Sequence, residues 1–506
     1  MDYQNHIQQQ LKFLYGDNYG QIWHEIMLII NEFRSRNNIL PSEKFHLTEK
    51  DAILITYGDQ FQSSNQTHLK SLTDFLEQYL GDAINRVHLL PFFPYSSDDG
   101  FSVINYRQVN NRIGTWEDIH RLSENYLLMF DAVINHLSRE SDWFQAYLKG
   151  ESPYGNYFIE IDPSTDLSSV FRPRALPLLH PVDTIEGQKY VWTTFSEDQI
   201  DLNFSNPQVL LEIIELILFY SENGASLIRL DAVGYIWKLL GSSSLNLPQA
   251  HAVVKILRAV LNIAAPNTGI ITETNVPHKE NIAYFGEIDG EMETPGKPHS
   301  GDEAQMVYNF SLAPLILHTF HTENASILSN WARTLGVPFQ DSAFFNFIAS
   351  HDGIGVMPAK GLLSDEQIQA LVDKTLLHGG EASFKTNSDG TKSVYELNIT
   401  LFDALNDPAE ENSNLAVKRF LASQAIMLSL AGVPGIYIHS LFGSQNCFPC
   451  QQETGRARSL NREKFDLDQL KSDLENQENI HTQILNEYRS LLLIRQTQPA
   501  FHPAAA

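Results

Sequence analysis

Short apolar runs recur along this chain, separated by stretches with helical spacing. Ala52 to Thr56, Arg86 to Leu90, Leu127 to Val133, Ser226 to Leu230, Gly269 to Thr272, Phe344 to Ala349 and Gly435 to His439 read as buried strands. Gln208 to Tyr220 and Ala250 to Ile263 are among the helical stretches between them. Strands that are apolar on both faces need cover on both sides, and alternation with helices supplies it in a parallel sheet. Repeated this often in one chain, the pattern predicts an α/β fold of the (β/α)8 TIM-barrel type. An open dinucleotide-binding sheet would carry G-x-G-x-x-G after its first strand, and none follows Ala52 to Thr56. A length of 506 residues exceeds one ordinary core, but a large barrel with insertions absorbs it.

Residues 1–50 form a helical lead-in, marked by Leu11, Leu14, Tyr15, Ile22, Ile26, Ile29 and Ile30. The barrel is expected over 51–495. Two stretches break its rhythm: a polar, proline-rich one at about 137–202 with no clear helix, and a second at about 353–414. Insertions of this length are usually functional, and in a barrel they rim the C-terminal mouth of the strands.

The formal charge of −26, from 61 acidic against 35 basic residues, excludes a nucleic-acid binder, whose partner needs a basic surface. If the chain binds an anion, a few arginines must supply positive charge locally. The N-terminus lacks the basic and apolar regions of a signal peptide. The longest apolar stretch, about 421–438, is broken by Gly432, Pro434 and Gly435, so a cytoplasmic protein without a membrane span is expected. Cys447 and Cys450 form a lone C-x-x-C and are expected to be incidental thiols. With no H-E-x-x-H, calcium loop or nucleotide loop, no metal and no cofactor is expected.

Charged residues gather where these strands end. Asn135-His136 follows the third run. Arg229 and Asp231 close the next, Glu273 ends Gly269–Thr272, and Ser350-His351-Asp352 follow Phe344–Ala349. A single aspartate there could merely cap a helix, but glutamate is a weak cap, and three carboxylates with two histidines and an arginine form a set. Glycosidic bond cleavage uses such a set. One carboxylate attacks the anomeric carbon and a carboxylic acid protonates the departing oxygen, with retention if the two lie about 5–5.5 Å apart.

The segments DAVINH (131–136), IRLDAVGY (228–235), ITETN (271–275) and FIASHDG (347–353) resemble, in order, the four signature regions of the α-amylase superfamily, glycoside hydrolase family 13. The resemblance implies Asp231 as nucleophile, Glu273 as acid/base and Asp352 as transition-state stabiliser, with Arg229, His136 and His351 lining the glucosyl subsite. HLLPFFPYSSDDGFSVINYRQVN (88–110) and HDGIGV (351–356) resemble the sucrose phosphorylase branch. Asp98 would then bind the far hydroxyls of the glucose, and Phe101 would help close the pocket. RARSLNRE (456–463) offers Arg458 as a glucosyl-site ligand and Arg462 as a nearby structural or anion-facing group.

LTEKDAILITYGDQF (47–61), RPRALPLL (172–179), WTTFSEDQIDLNF (192–204) and IITETNVPHKENIAYFG (270–286) are most similar to phosphorylases acting on glucosylglycerate. The implied reactants are a small glucoside and inorganic phosphate, and the implied product is α-glucose 1-phosphate. Sucrose, sucrose 6'-phosphate and glucosylglycerol stay open as donors. So do an α-glucosidase, which would ignore phosphate, and a silent binding subunit, which would usually have lost one of the three carboxylates. Phosphate and glycerate are both anions, so one cationic acceptor site could serve both, with Arg172, Arg174, Arg456 and Arg458 as candidates. The family's all-β C-terminal domain is expected to be largely missing, with 496–506 as its truncated start.

Overall fold

The computed structural model describes residues 2–37, 44–287, 300–387, 390–409 and 413–503. Small parts of the expected lead-in (1 and 38–43), of the second insertion (388–389 and 410–412) and of the chain end (504–506) lie outside them.

Eight parallel strands close into a barrel: β1 (Ile53–Thr56), β2 (Arg86–Leu89), β3 (Leu127–Ala132), β4 (Ala225–Leu230), β5 (Gly269–Thr272), β6 (Met306–Tyr308), β7 (Ala343–Asn346) and β8 (Val433–Tyr437). Neighbours in sequence are neighbours in space, and β8 returns to β1 with Gly435 beside Ile53. β1, β2, β5, β6, β7 and β8 are buried at every residue, as strands sealed by side chains within and helices without must be.

β6 has no counterpart among the expected strands. Its three residues are too few to show a period, and only pairing to β5 and β7 on either side makes them a strand. β7 and β8 stop at Asn346 and Tyr437, before the expected ends, because the chain there turns into the mouth of the barrel.

Two helices precede β1. α1 (Tyr3–Tyr15) packs on the helix Pro248–Ala264, and α2 (Tyr19–Arg36) packs on that helix and on Pro207–Glu222. Their buried stripe is Ile7, Leu11, Ile22, Ile26, Ile30 and Phe33, the helical spacing seen in sequence.

After β3 the chain forms a two-strand pairing of His136–Ser138 with Gln199–Asp201, and a hairpin of Leu179–Thr184 with Gly187–Trp192. A short helix, Asp142–Leu148, lies between, where none is evident in the sequence; its Ser141 cap accepts from Phe144 N. After β7 a helix, Asp365–Leu377, starts at a Ser364–Gln367 capping box. The same segment forms an antiparallel sheet ordered Ile354–Gly355, Lys392–Asn398, Glu381–Thr386, whose first strand precedes that helix and whose other two follow it.

Cys447 and Cys450 are a disulfide rather than incidental thiols. The tight start of the helix Phe448–Thr454 brings their Cα atoms to 5.3 Å, within the span a disulfide bridges. Among the described residues, no helix is long and apolar enough to cross a membrane.

Candidate active site

The carboxylates are set by where the strands stop. Asp231 is the first residue after β4, and Ala232 turns the chain aside at once with φ 49°. Glu273 is the first residue after β5, and one of its oxygens accepts from Ala232 N at 3.0 Å. That bond ties the two strand ends together.

Arg229, the second-last residue of β4, organises the floor. Its side chain is 1 % exposed. Nη1 donates to Asp231 Oδ1 at 2.7 Å and to Asp131 on β3, and Nη2 lies 4.0 Å from Glu273 Oε2. Asp131 is fully buried and also meets His88 Nε2 of β2 at 2.7 Å. The rings of Phe101 and Tyr308 lie 5.6 and 5.4 Å from the guanidinium carbon.

This geometry orders the two acids. Burial pushes both above their ordinary values, since a low-dielectric site disfavours charge. Arg229 opposes the rise for each, but it touches Asp231 directly and Glu273 only at 4.0 Å. Glu273, also facing the charges of Asp231 and Asp352, is pushed up to about 7 and is the one that holds the proton.

Asp352 has a different environment. Burial alone would raise it, but Arg458 Nη1 at 2.6 Å, together with His351, Arg462 and Arg229, holds it well below the usual carboxylate range. Arg458 is clamped from its other side by Glu396, whose oxygens lie 2.8 Å from Nη2 and 3.2 Å from Nε. Glu396 belongs to the strand Lys392–Asn398, so the second inserted segment contributes directly to the site.

The far wall comes from the loop after β2. Asp98 and Asp99 both have positive φ, 53° and 50°. Arg462 meets Asp99 Oδ2 at 2.5 Å and donates through Nε to His351 O at 2.7 Å. Phe101 stacks on His351 with centroids 4.9 Å apart and planes 2° from parallel. Burial takes the His351 imidazole down to about 3, so that ring is neutral.

One cavity at the mouth of the barrel gathers Asp98, Phe101, His136, Arg229, Asp231, Glu273, His351, Asp352 and Arg458, the residues offered by the sequence for catalysis and for the glucosyl subsite. Of the acceptor-side candidates, Arg174 also lines it, 4.0 Å from Glu396. Arg172 bridges to Thr386 and Arg456 is exposed, and neither borders the cavity. Gln199, Tyr395 and Glu396 do border it, although nothing local in the sequence distinguishes them. Asp131 lies inside a signature segment, and its position one residue before the end of a buried strand was the available signal. Among the described residues no group of three or more His, Cys, Asp or Glu is arranged to hold a metal ion.

A closed parallel barrel with two acids sharing one arginine at its C-terminal mouth defines a barrel of the carbohydrate-processing class. The chain belongs to the α-amylase family: residues 55–353 match the model described as the α-amylase catalytic domain. A protein named glucosylglycerate phosphorylase from Allomeiothermus silvanus is 48% identical over 500 residues, covering 99% of this chain and 87% of that protein. One of the same name from Escherichia coli K12 is 43% identical, covering 98% and 87%. The crystal structure of sucrose 6F-phosphate phosphorylase from Thermoanaerobacter thermosaccharolyticum superimposes with a TM-score of 0.76 at 26% identity, covering 89% of this chain and 88% of that one.

Proposed function

We propose that this chain is a retaining glycoside phosphorylase that moves an α-glucosyl unit from a small glucoside, glucosylglycerate foremost, to inorganic phosphate. Asp231 attacks the anomeric carbon while Glu273 gives its proton to the departing oxygen, leaving a glucosyl ester on Asp231. In the second step Glu273, now a carboxylate, takes a proton from phosphate as a phosphate oxygen attacks the same carbon. Two inversions give α-glucose 1-phosphate. Asp352, kept ionised by Arg458, faces the positive charge that develops on the ring.

The observation that carries this reading is the ordered pair on Arg229: an aspartate in direct contact with the guanidinium and a glutamate pushed up to about 7. Asp98, Phe101, His136 and His351 form the part of the cavity suited to one glucosyl ring, and the Arg462–Asp99 contact backs that wall. For the acceptor, Arg174 puts a cation on the wall of the cavity in a chain of net charge −26. Glycerate as leaving group is supported by relatives of that printed name at 43–48% identity, against 26% for the phosphorylase of a phosphorylated sucrose. The same reading takes 51–495 as the catalytic unit, 1–50 as a helical lead-in, and 137–202 and 353–414 as insertions that build the mouth.

The test is donor consumption with and without phosphate, comparing glucosylglycerate, sucrose and glucosylglycerol and assaying α-glucose 1-phosphate. Phosphate-dependent release from glucosylglycerate above the others is the expected result. Free glucose at a rate indifferent to phosphate would make the chain a hydrolase.

A further inference from the structure

A buried lysine that the mechanism does not use lies behind the glucosyl pocket. Lys238 follows Asp231 by seven residues, beyond the turn Val233–Tyr235, and its side chain is 5 % exposed. Its ammonium has three N–H groups and three oxygens around it: Asp201 Oδ2 at 2.5 Å, Asn135 Oδ1 at 2.8 Å and the Tyr235 carbonyl. Those oxygens come from three segments that also carry residues of the cavity wall. Asn135 ends the β3 connection beside His136, Tyr235 lines the cavity from the loop after β4, and Asp201 shares a three-residue strand with Gln199.

The arrangement determines the Asn135 amide. Its oxygen faces the ammonium, so its nitrogen faces Asp201 Oδ2 and His136 Nδ1, each at 3.2 Å. The opposite orientation would set an NH2 against a cation and an oxygen against a carboxylate. Asp201 is itself anchored by Thr194 N at 2.8 Å and Thr194 Oγ1 at 2.6 Å. Because Asn135 presents a donor, His136 Nδ1 must accept, and the ring proton resides on Nε2. That nitrogen is 2.9 Å from the Phe101 carbonyl and 3.1 Å from Gln199 Nε2, whose own N–H goes to the same carbonyl at 3.1 Å, and His136 lines the cavity.

We propose that Lys238 is a positioning residue: through Asn135 it fixes the tautomer and orientation of His136, so that the Nε2–H, shared with the Phe101 carbonyl, is the ring hydrogen available to a hydroxyl of the bound glucosyl ring. This rests on the glucosyl-transfer reading above for its consequence, though not for its geometry. Burial pulls the ammonium below the ordinary lysine range and Asp201 opposes that, so removing either charge strands the other.

The experiment is a double-mutant cycle of Lys238→Met and His136→Ala, read as kcat/KM for fluoride release from α-glucosyl fluoride, a donor indifferent to the identity of the natural leaving group. Lys238→Met should cost about 10–100-fold in the wild-type background and under about threefold when His136 is already alanine. Equal losses in both backgrounds would overturn the proposal. If the single variant fails to fold, Lys238→Met combined with Asp201→Asn, which removes both buried charges, takes its place in the cycle. In parallel, long-range 15N–1H spectra of histidine-labelled protein, with the His136 signal assigned by its loss in His136→Ala, should show the Nε2–H tautomer in the wild type and its loss in the Lys238 variant. A proton on Nδ1 in the wild type would refute the proposal whatever the kinetics. Absence of fluoride release from the wild type would sink the glucosyl-transfer reading alone, and the histidine spectrum would then decide the role of Lys238.

Discussion

Replacing Glu273 by glutamine tests the division of labour between the two acids. The substitution keeps the shape and an oxygen able to accept from Ala232 N, so Asp231, Arg229 and the strand ends should stay in place. What disappears is the proton. For a donor whose leaving group is an alkoxide, loss of general-acid help costs about 10²–10⁴-fold, or roughly 3–5 kcal/mol of barrier. Fluoride leaves without a proton, so α-glucosyl fluoride should be slowed by no more than about tenfold. The pH profile gives a second signature. Glu273 is the acid, its value is about 7, and the protonated fraction falls tenfold per pH unit above it. Wild-type kcat/KM for glucosylglycerate should therefore decline on the alkaline side of pH 7, and the limb should vanish in Glu273→Gln. Initial rates of α-glucose 1-phosphate and fluoride release between pH 5 and 9 supply both comparisons. Equal losses on the two donors, or an alkaline limb that survives the substitution, would refute the assignment.

Arg174→Ala should raise the KM for phosphate by about 10–100-fold while changing phosphate-free fluoride release from α-glucosyl fluoride by less than about threefold. An unchanged phosphate KM would remove Arg174 from the acceptor site. Arg458→Ala leaves Asp352 and the 2 %-exposed Glu396 without their shared cation. A loss of about 3–5 kcal/mol in stability and roughly 100-fold or more in kcat/KM is expected, and a wild-type Tm in denaturation scans would contradict it. Glu303, buried against His251 and Lys255 away from the cavity, is pushed up to about 7 by burial from a free value of 4.5. The folded state thus holds this proton more tightly than the unfolded one, so its contribution is full below pH 4.5 and lost as pH rises to 7. Glu303→Gln should shrink the fall in stability between pH 5 and 8 by at most about 3 kcal/mol, and an undiminished fall in thermal unfolding would refute it.

How far the structure was legible depended on the range of the forces involved. β1 to β5 are almost wholly buried because helices and barrel interior cover them, and their largely apolar composition over four to six residues carries that signal. β6 is three residues long and owes its existence to β5 and β7, which no local window contains. The carboxylates were legible because a charge at the end of an apolar run is conspicuous. Glu396 was not, since its strand is half polar and reaches the pocket only by folding back over the mouth. Arg172 and Arg174 are two residues apart and chemically equal, and only tertiary packing decides that the second borders the cavity. The cysteine pair reads as incidental until the first turn of the helix Phe448–Thr454 brings it together.

The contact between Arg462 and Asp99 joins residues 363 positions apart. At about 5–20 residues per second, a ribosome needs roughly 20 to 70 seconds to travel from Asp99 to Arg462. Until β8 is made, late in that interval, β1 and β7 present open edges, the form in which sheets most readily join the wrong partner. β8 ends 25 residues before Arg462, so the barrel is sealed shortly before the sugar wall is complete, and a chain stopped short of β8 has neither. Synthesis of this protein would accordingly lean on chaperones most while β8 is still to come.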